Sequence, residues 1–382
     1  MSAITWRFEA ADTLFFKESR PIESVGASQL GSQFPPPART LIGAIRTAIG
    51  DQMGGDWHGY KEACRKDVSH PVRDAIGTPD SLGPLSFAGP WLSLHGERLY
   101  SVPLVLLAAE SGSARLQPGE PAHTDLGYVR LPQMVPAVAG AKPLEGAFVN
   151  AAGLQAILAG GHPEPGQMFK ANGERSQPAL FHSEERLGIA RDNARRVTGD
   201  GLLYQTRHIR PAPGLAVEIE VKGAPPAADG GGVRLGAEGR FAHFSTAPAS
   251  EVPPLPVPPA KAAGLILLLL TPALFRDGWL PDGLARSTAE NSLTVWAGEL
   301  HAVGLRVVCS VAGKPVREGG WDMANHAPRP LALLVPAGSC YFVELAEGAN
   351  LHEAARQLHG KQIGQEQELG RGQIAVGYWT KG

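Results

Sequence analysis

The sequence predicts an α+β protein of two sheet-and-helix domains, and three observations predict it. The chain has 382 residues, 43% of them hydrophobic, enough for two separate cores. Its 47 glycines and 33 prolines favour turns over long helices without reaching the level of a disordered chain. Six prolines crowd into residues 248–261, PASEVPPLPVPPAK. Proline fixes φ and has no N–H to donate, so this stretch is extended and stays out of a sheet interior. It is read as a linker between domains 1–247 and 262–382.

The first domain opens with a strand, AITWRFEAADTLFF. PPPARTLIGAIRTAIG, 35–50, then reads as a helix. Prolines lead into it, as a first turn tolerates, and Leu41, Ile42, Ile45, Ala48 and Ile49 recur at helical spacing. Arg39, Gly43 and Arg46 share another face. Gly43 either admits a ligand to the backbone between two arginines or only lets the helix pack closely. A short helix is expected in 51–80 and a strand in ERLYSVPLVLLAA, 97–109. Residues 111–180, rich in Gly, Pro and Ala, read as a large insertion in this domain with one short helix at AAGLQAILAG. The strand GLAVEIEVKG alternates clearly, a glycine turn DGGG follows, and VRLGAEGRFAHFS ends the domain.

In the second domain, GLILLLLTPALF, 264–275, is too short to span a bilayer and reads as a buried central strand. LRVVCSVAG is a strand, and RPLALLVPAGSCYFVEL reads as two strands of one hairpin turning at Pro336 to Gly338. NLHEAARQLHG is a helix with Leu351, Ala354, Ala355 and Leu358 on its apolar face, and LGRGQIAVGYW is a last strand. Strand, variable region, strand, strand, helix, strand is the order of a ferredoxin-like, RRM-like domain. The first domain, without its insertion, permits the same order.

Charge and motifs narrow the function. The net charge of −2 gives no global basic field of the kind that coats duplex. Arginines outnumber lysines 25 to 10. Arginine suits bidentate phosphate contact and stacking on bases, and a GC-rich genome would give the same excess. Cys64, Cys309 and Cys340 are far apart and form no CxxC, so a thiolate zinc site is not expected. The twelve histidines show no metal-binding spacing, and no nucleophile elbow occurs. No cofactor and no metal are expected. The N-terminus MSAITWRFEAAD has no apolar leader, so a cytoplasmic chain off the membrane is expected.

One stretch stands apart. RLGIARDNARRVTGDGLLYQTRHIRP, 186–211, holds six arginines and only two acids, Asp192 and Asp200. Its arginines suit phosphates, and Tyr204 and His208 offer flat faces for base stacking. A solvated charged loop is the other reading. LGAEGR, 235–240, brings glycine N–H groups near a phosphate with Arg240 to clamp it, or is a plain hairpin turn. Gly370, Arg371 and Gly372 repeat that chemistry less specifically. His208 or His182 as general base on a 2′-hydroxyl would make a histidine ribonuclease, although no second group is visibly placed to protonate the leaving oxygen.

Three segments together resemble the RAMP superfamily of CRISPR effector proteins. More narrowly, they are similar to the type III-B Cmr-complex subunits that hold the five-prime tag of the CRISPR RNA. The segments are DTLFFKESRPI with the helix at 35–50, RLGIARDNARRVTGDGLLYQTRHIR, and RLGAEGRF. In the last, Ala237 stands where the family usually has a second glycine. The resemblance implies two ferredoxin-like domains, no catalysis by this chain, and three partners: CRISPR RNA, the large polymerase/cyclase-like subunit and a backbone RAMP subunit. It implies RNA contact by Lys17, Arg20, Arg39, Arg46, Arg191, Arg195, Arg196, Tyr204, His208, Gly236, Gly239 and Arg240. A metal-independent guide-processing endoribonuclease of the same superfamily and a purely protein-binding adaptor are the alternatives.

Overall fold

The computed structural model describes residues 3–19, 29–173, 178–192, 197–226, 229–289, 292–322 and 326–381, with backbone alone at 29, 189–192 and 197–203. Contacts group the chain into two compact units, one of Met1–Gly96, Lys170–Ser250 and Arg317–Ala332, the other of Glu97–Phe169, Glu251–Val316 and Leu333–Gly382. The change of unit at Ser250 and Glu251 falls in the proline-rich stretch, which forms neither helix nor strand from 249 to 259. The expected insertion, through Phe169, groups with the second unit rather than with the first. Both units are mixed α/β and mostly strand.

In the first unit the longer strands are β1 (Ile4–Ala10), β2 (Ser86–Leu94), β3 (Phe181–Asp192), β4 (Val197–Pro211), β5 (Leu215–Lys222), β6 (Gly230–Arg234) and β7 (Phe241–Pro248). The helices are α1 (Ala38–Gln52), α2 (Trp57–Lys66) and α3 (Pro71–Ile76). The main sheet runs β2-β5-β1-β7-β6, antiparallel throughout. Its register sets Phe8 opposite both Val217 and Phe244. The Trp6 and Phe244 rings stack at 4.7 Å, and Trp6 and Phe8 are buried. Each such burial is worth roughly 1.5–3 kcal/mol. All five residues of the α1 stripe are buried. Pro37 stands at the N-cap, where its missing N–H leaves no helical bond unmade. On the sheet's other face Arg7 pairs with buried Glu218 at 2.8 Å.

Within the charged stretch, residues 186–192 and 197–211 are strand. β3 and β4 form a long antiparallel ribbon, in register from Phe181 opposite Pro211 to Ile189 opposite Leu203, with a bulge between Ile189 and Arg191. A bridge between Leu14 and Ile209 ties it to the segment after β1.

In the second unit, β8 (Ala262–Leu269), β9 (Leu284–Thr288), β10 (Thr294–Leu300), β11 (Val303–Val311), β12 (Cys340–Leu345) and β13 (Ile374–Thr380) make a six-stranded sheet. Its order is β9-β10-β11-β12-β8-β13. The helices are α4 (Ala151–Leu158) and α5 (Leu351–Leu358). Leu265, Leu267 and Leu269 share a core with Ala354, Ala355 and Leu358 of α5. Ile266 lies opposite Gly377, and a Cβ on Gly377 would meet the Leu158 carbonyl of α4 at 2.6 Å. The sheet is therefore covered on both faces, which is why β8 is apolar at every position.

The expected hairpin at 329–345 is corrected. Ala332–Leu334 and Cys340–Leu345 are both strands, but they do not pair, since β12 is flanked by β8 and β11. Val335 bonds to Ala273 and Gly338 to Leu269 instead, so the prolyl-glycyl connection is spent on the end of β8. The expected strand over 97–109 is two, Glu97–Ser101 and Leu106–Ala109. Gly112–Thr124 and Gly127–Val135 form a β-ribbon that composition alone did not announce. Among the described residues no helix is long and apolar enough to cross a membrane.

Candidate nucleic-acid interface

Register sorts the charge of the β3–β4 ribbon onto two faces. Directly opposed residues share a face, and side chains alternate along a strand. Glu184 faces His208, Arg186 faces Thr206, Gly188 faces Tyr204 and His182 faces Arg210. One face thus carries Tyr204, Arg186, Glu184, His208 and Arg210 in sequence-even positions. The other carries Glu185 and Arg207, an exposed pair at 3.5 Å.

The even face is an ion network closed from the segment after β1. Arg210 Nε bonds Glu184, and Arg186 Nε bonds Glu184 Oε1 at 2.9 Å. Asp12 Oδ2 accepts from Arg186 at 3.0 Å, and its Oδ1 lies 3.1 Å from Arg210 Nη1. Arg240 Nη1 stands 3.7 Å from the same carboxylate. The Arg210 guanidinium beside Glu184 holds its carboxyl at about 2. Arg186, then Arg210, hold Asp12 below the usual carboxylate range. In return Glu184 raises both arginines further above theirs. Asp12, Glu184, Arg186 and Arg210 are therefore charged at neutral pH.

His208 sits beneath, fully buried. Its Nε2 lies 3.2 Å from Glu238 Oε2 and its Nδ1 3.1 Å from Thr13 Oγ1. Its ring stacks on Phe15 with centroids 5.0 Å apart and planes within 7°. Burial, helped by Arg186, pushes its pKa down, so the imidazole is neutral. A carboxylate only accepts, so Nε2 carries the hydrogen and Nδ1 takes that of Thr13.

Glu238 and Arg240 are delivered by the turn at 235–240. Leu235 N bonds Arg240 O at 2.9 Å, and Ala237 N bonds Phe15 O at 2.8 Å. Gly236 has φ +90°, and a Cβ there would lie 2.5 Å from the Phe15 carbonyl, so only glycine fits. Glu238 and Gly239 also take positive φ, whereas Ala237 does not. An alanine at 237 therefore meets no backbone penalty.

Of the sequence-predicted residues, the structure brings His208, Gly236, Gly239 and Arg240 together. Tyr204 lies further along the same face, its ring over Gly188, where a Cβ would come within 2.3 Å of it. Lys17 is exposed and bridged to Ser32 through the backbone. Arg39 and Arg46 stand elsewhere. Arg39 is 3.6 Å from Glu318, and Arg46 donates to Thr78 O at 2.5 Å, its half-buried guanidinium pushed down by burial. Gly43 borders a cleft of about 690 Å³ shared with Ala44, Gly231, Gly232, Phe241 and Phe244. Arg191 belongs to β3 by its backbone, and its side chain, with Arg20, Arg195 and Arg196, lies outside the described residues. His182 Nδ1 is held at 2.8 Å by Gly173 O. Arg371 is buried and paired with Glu366 inside the second unit. Sequence reasoning missed Asp12, Thr13, Glu184, Arg186, Arg210 and Glu238 as site residues. The period-two alternation of Glu184 with Arg186 and of His208 with Arg210 was the available signal.

A model of the family CRISPR-associated protein (Cas_Cmr3) matches residues 6–379. None of the curated proteins compared with the chain matches it. Among solved structures, the chain is similar to a chain of the Type III-B Cmr-beta complex bound to cognate target RNA and AMPPnP. Identity there is 13%, over 89% of this chain and 86% of that one, with a TM-score of 0.45. A chain of the Csm1-Csm4 cassette in complex with pppApA is 13% identical over 91% and 99%, with a TM-score of 0.35. A chain of the Csm3-Csm4 subcomplex in the type III-A CRISPR-Cas interference complex is 8% identical over 90% and 94%, with a TM-score of 0.36.

Proposed function

We propose, from the premise that the chain belongs to the CRISPR-associated Cmr3 family, that it is a non-catalytic RNA-binding subunit of a type III-B CRISPR effector complex. It holds the five-prime tag of the guide RNA and links the large polymerase/cyclase-like subunit to the backbone RAMP subunits in antiviral defence. Both units are ferredoxin-like domains in this reading. Numbered by chain position within each domain, β7-β1-β5-β2 and β13-β8-β12-β11 both read 4-1-3-2, the order that a split β-α-β plan produces. Each domain keeps one of the plan's two core helices, α1 in the first and α5 in the second.

The observation that carries the RNA reading is the convergence of Arg186, Arg210 and Arg240 within 3.7 Å of one carboxylate, on a ribbon face that also presents Tyr204. Guanidinium groups suit phosphate oxygens and a phenol ring suits a base, the pairing by which single-stranded RNA is held. The ribonuclease alternative is less well supported. A base that takes a proton from a 2′-hydroxyl must reach it, and the His208 ring is buried with both nitrogens engaged.

Guide RNA titrated against the assembled complex at several salt concentrations tests this. Arg186→Ala with Arg210→Ala should weaken binding by roughly ten- to a hundredfold and flatten the salt slope by about one to two. Unchanged affinity and slope would overturn the proposal.

A further inference from the structure

We infer that the Asp12 carboxylate is a built-in stand-in for a phosphate group of the RNA, occupying the arginine cradle until the RNA displaces it. The inference rests on the RNA-binding reading above and deepens it.

Asp12 and Glu184 hold the same guanidinium groups in different ways. Glu184 is on β3, 16% exposed, and contacts Arg186 and Arg210 from within the ribbon. Asp12 is 52% exposed and reaches the cradle from the bend after β1. Its backbone is fixed on either side, by Ala11 N on Phe241 O at 3.0 Å and by Leu14 N on Ile209 O at 2.9 Å. Only its short side chain has to rotate for the cradle to open. The three arginines it engages are 24 to 43% exposed, so their outer N–H groups already meet solvent.

The geometry matches a phosphodiester. Asp12 uses one oxygen on Arg210 and the other on Arg186, with Arg240 behind. Two non-bridging phosphate oxygens present the same bidentate face to guanidinium groups. With Asp12 in place, the three named arginines face two carboxylates. With Asp12 swung out, Arg186 and Arg210 share Glu184, and the surplus positive charge suits a phosphate. The stand-in does two things. It keeps three like charges ordered before RNA arrives, which lowers the ordering cost of binding. It also makes a lone phosphate a poor competitor, because displacing Asp12 is worthwhile only for a ligand with further contacts. Tyr204 supplies such a contact, on the same face and roughly 20 Å of strand from Arg210 at about 3.3 Å per residue.

The test is titration of the full chain with a short labelled single-stranded RNA, alone and in competition with inorganic phosphate. Asp12→Asn keeps size and hydrogen bonding and removes the charge. It should tighten RNA binding about fivefold, the effect of losing one like charge near the surface, and steepen the salt slope by about one, since a solution anion now fills the cradle and is released. Inorganic phosphate should compete better against this variant than against the native chain. Asp12→Glu, which restores the charge, should reverse the gain. Asp12→Ser gives the same reading if the asparagine chain fails to fold. If Arg210→Ala weakens RNA binding while Asp12→Asn leaves it unchanged or weaker, the stand-in is wrong and the RNA reading survives. If phosphate gains against Asp12→Asn and RNA does not, the cradle is a small-anion site and the inference fails. If neither Arg210→Ala nor Asp12→Asn changes RNA affinity, both readings fail.

Discussion

Replacing Gly236 by alanine should cost more than the same change at Gly239, three residues along the same turn. Both have positive φ, +90° and +65°, and the left-handed region costs an alanine roughly 1–2 kcal/mol. Their surroundings differ. Nothing lies within 4 Å of a Cβ at 239, whereas one at 236 would sit 2.5 Å from the Phe15 carbonyl. That oxygen belongs to backbone and cannot swing aside, so the turn must lift. Lifting breaks the 2.8 Å bond from Ala237 N to Phe15 O, worth about 1 kcal/mol. Gly236→Ala should therefore lose about 2–3 kcal/mol and Gly239→Ala about 1–2 kcal/mol. Denaturant or thermal unfolding of the two variants measures the difference, at roughly 2–4 °C per kcal/mol for a unit of this size. Because the turn delivers Glu238 and Arg240, Gly236→Ala should also weaken guide-RNA binding. Equal losses at the two glycines would show that the turn is not pressed on Phe15.

Two further outcomes concern the charge network and the histidine beneath it, and a third concerns Arg46. Glu184 has its folded pKa depressed to about 2 from 4.5, so its contribution to stability is full above 4.5 and is lost as pH falls through 2; acid unfolding of Glu184→Gln should be flatter across that window. His208 has its folded pKa below 6.5, so below that pH the unfolded chain takes a proton that the folded ring resists. Stability should fall as pH drops under 6.5, and His208→Gln should remove that limb, read from denaturant midpoints between pH 7 and 5. Arg46→Met loses the bond to Thr78 O and should lower the midpoint by about 1–2 kcal/mol, with guide-RNA affinity unchanged; a fall in affinity would return Arg46 to the interface.

What could be read in advance was whatever depends on neighbours in sequence. The α1 stripe follows from three- and four-residue spacing, and β8 from a run of apolar residues. The strand β2 went unread, since SFAGPWLSL carries Gly89 and Pro90 at its middle, residues that weaken a strand pattern. In the sheet the register shifts between Glu218 and Glu220, whose partners are Trp91 and Ala88. Gly89 and Pro90 fall in that irregularity, where a missing N–H breaks no ladder bond. The glycines of DGGG misled in the opposite direction. They belong to β6, where a Cβ on Gly231 would meet the Phe244 ring at 2.8 Å and one on Gly232 the Phe241 ring at 2.2 Å. Glycine there makes room for aromatic rings on the neighbouring strand, not for a bend.

The site itself was the least legible part, and the reason lies in the segment Asp12 to Lys17. Four of its residues, Asp12 to Phe15, are committed to partners far along the chain. Asp12 reaches Arg186 across 174 residues, Thr13 reaches His208 across 195 and Arg240 across 227. Leu14 bridges Ile209, Phe15 accepts from Ala237, and Lys17 pairs with Ser32. No local pattern encodes such pairings, because loop closure on this scale is decided by the whole sheet. The sheet makes it possible: β1 is paired on both sides, by β5 and β7, so the residues leaving its end are held between two neighbours. From that fixed end the chain meets the ribbon on one side and the 235–240 turn on the other. Of the arginines that looked like a solvated run, Arg186 and Arg210 are thus held by the exit of the opening strand. A change that displaces the backbone at Leu14 and Phe15 should disturb the guanidinium cradle more than the loss of any one arginine in it, because Leu14 holds the ribbon and Phe15 holds the turn.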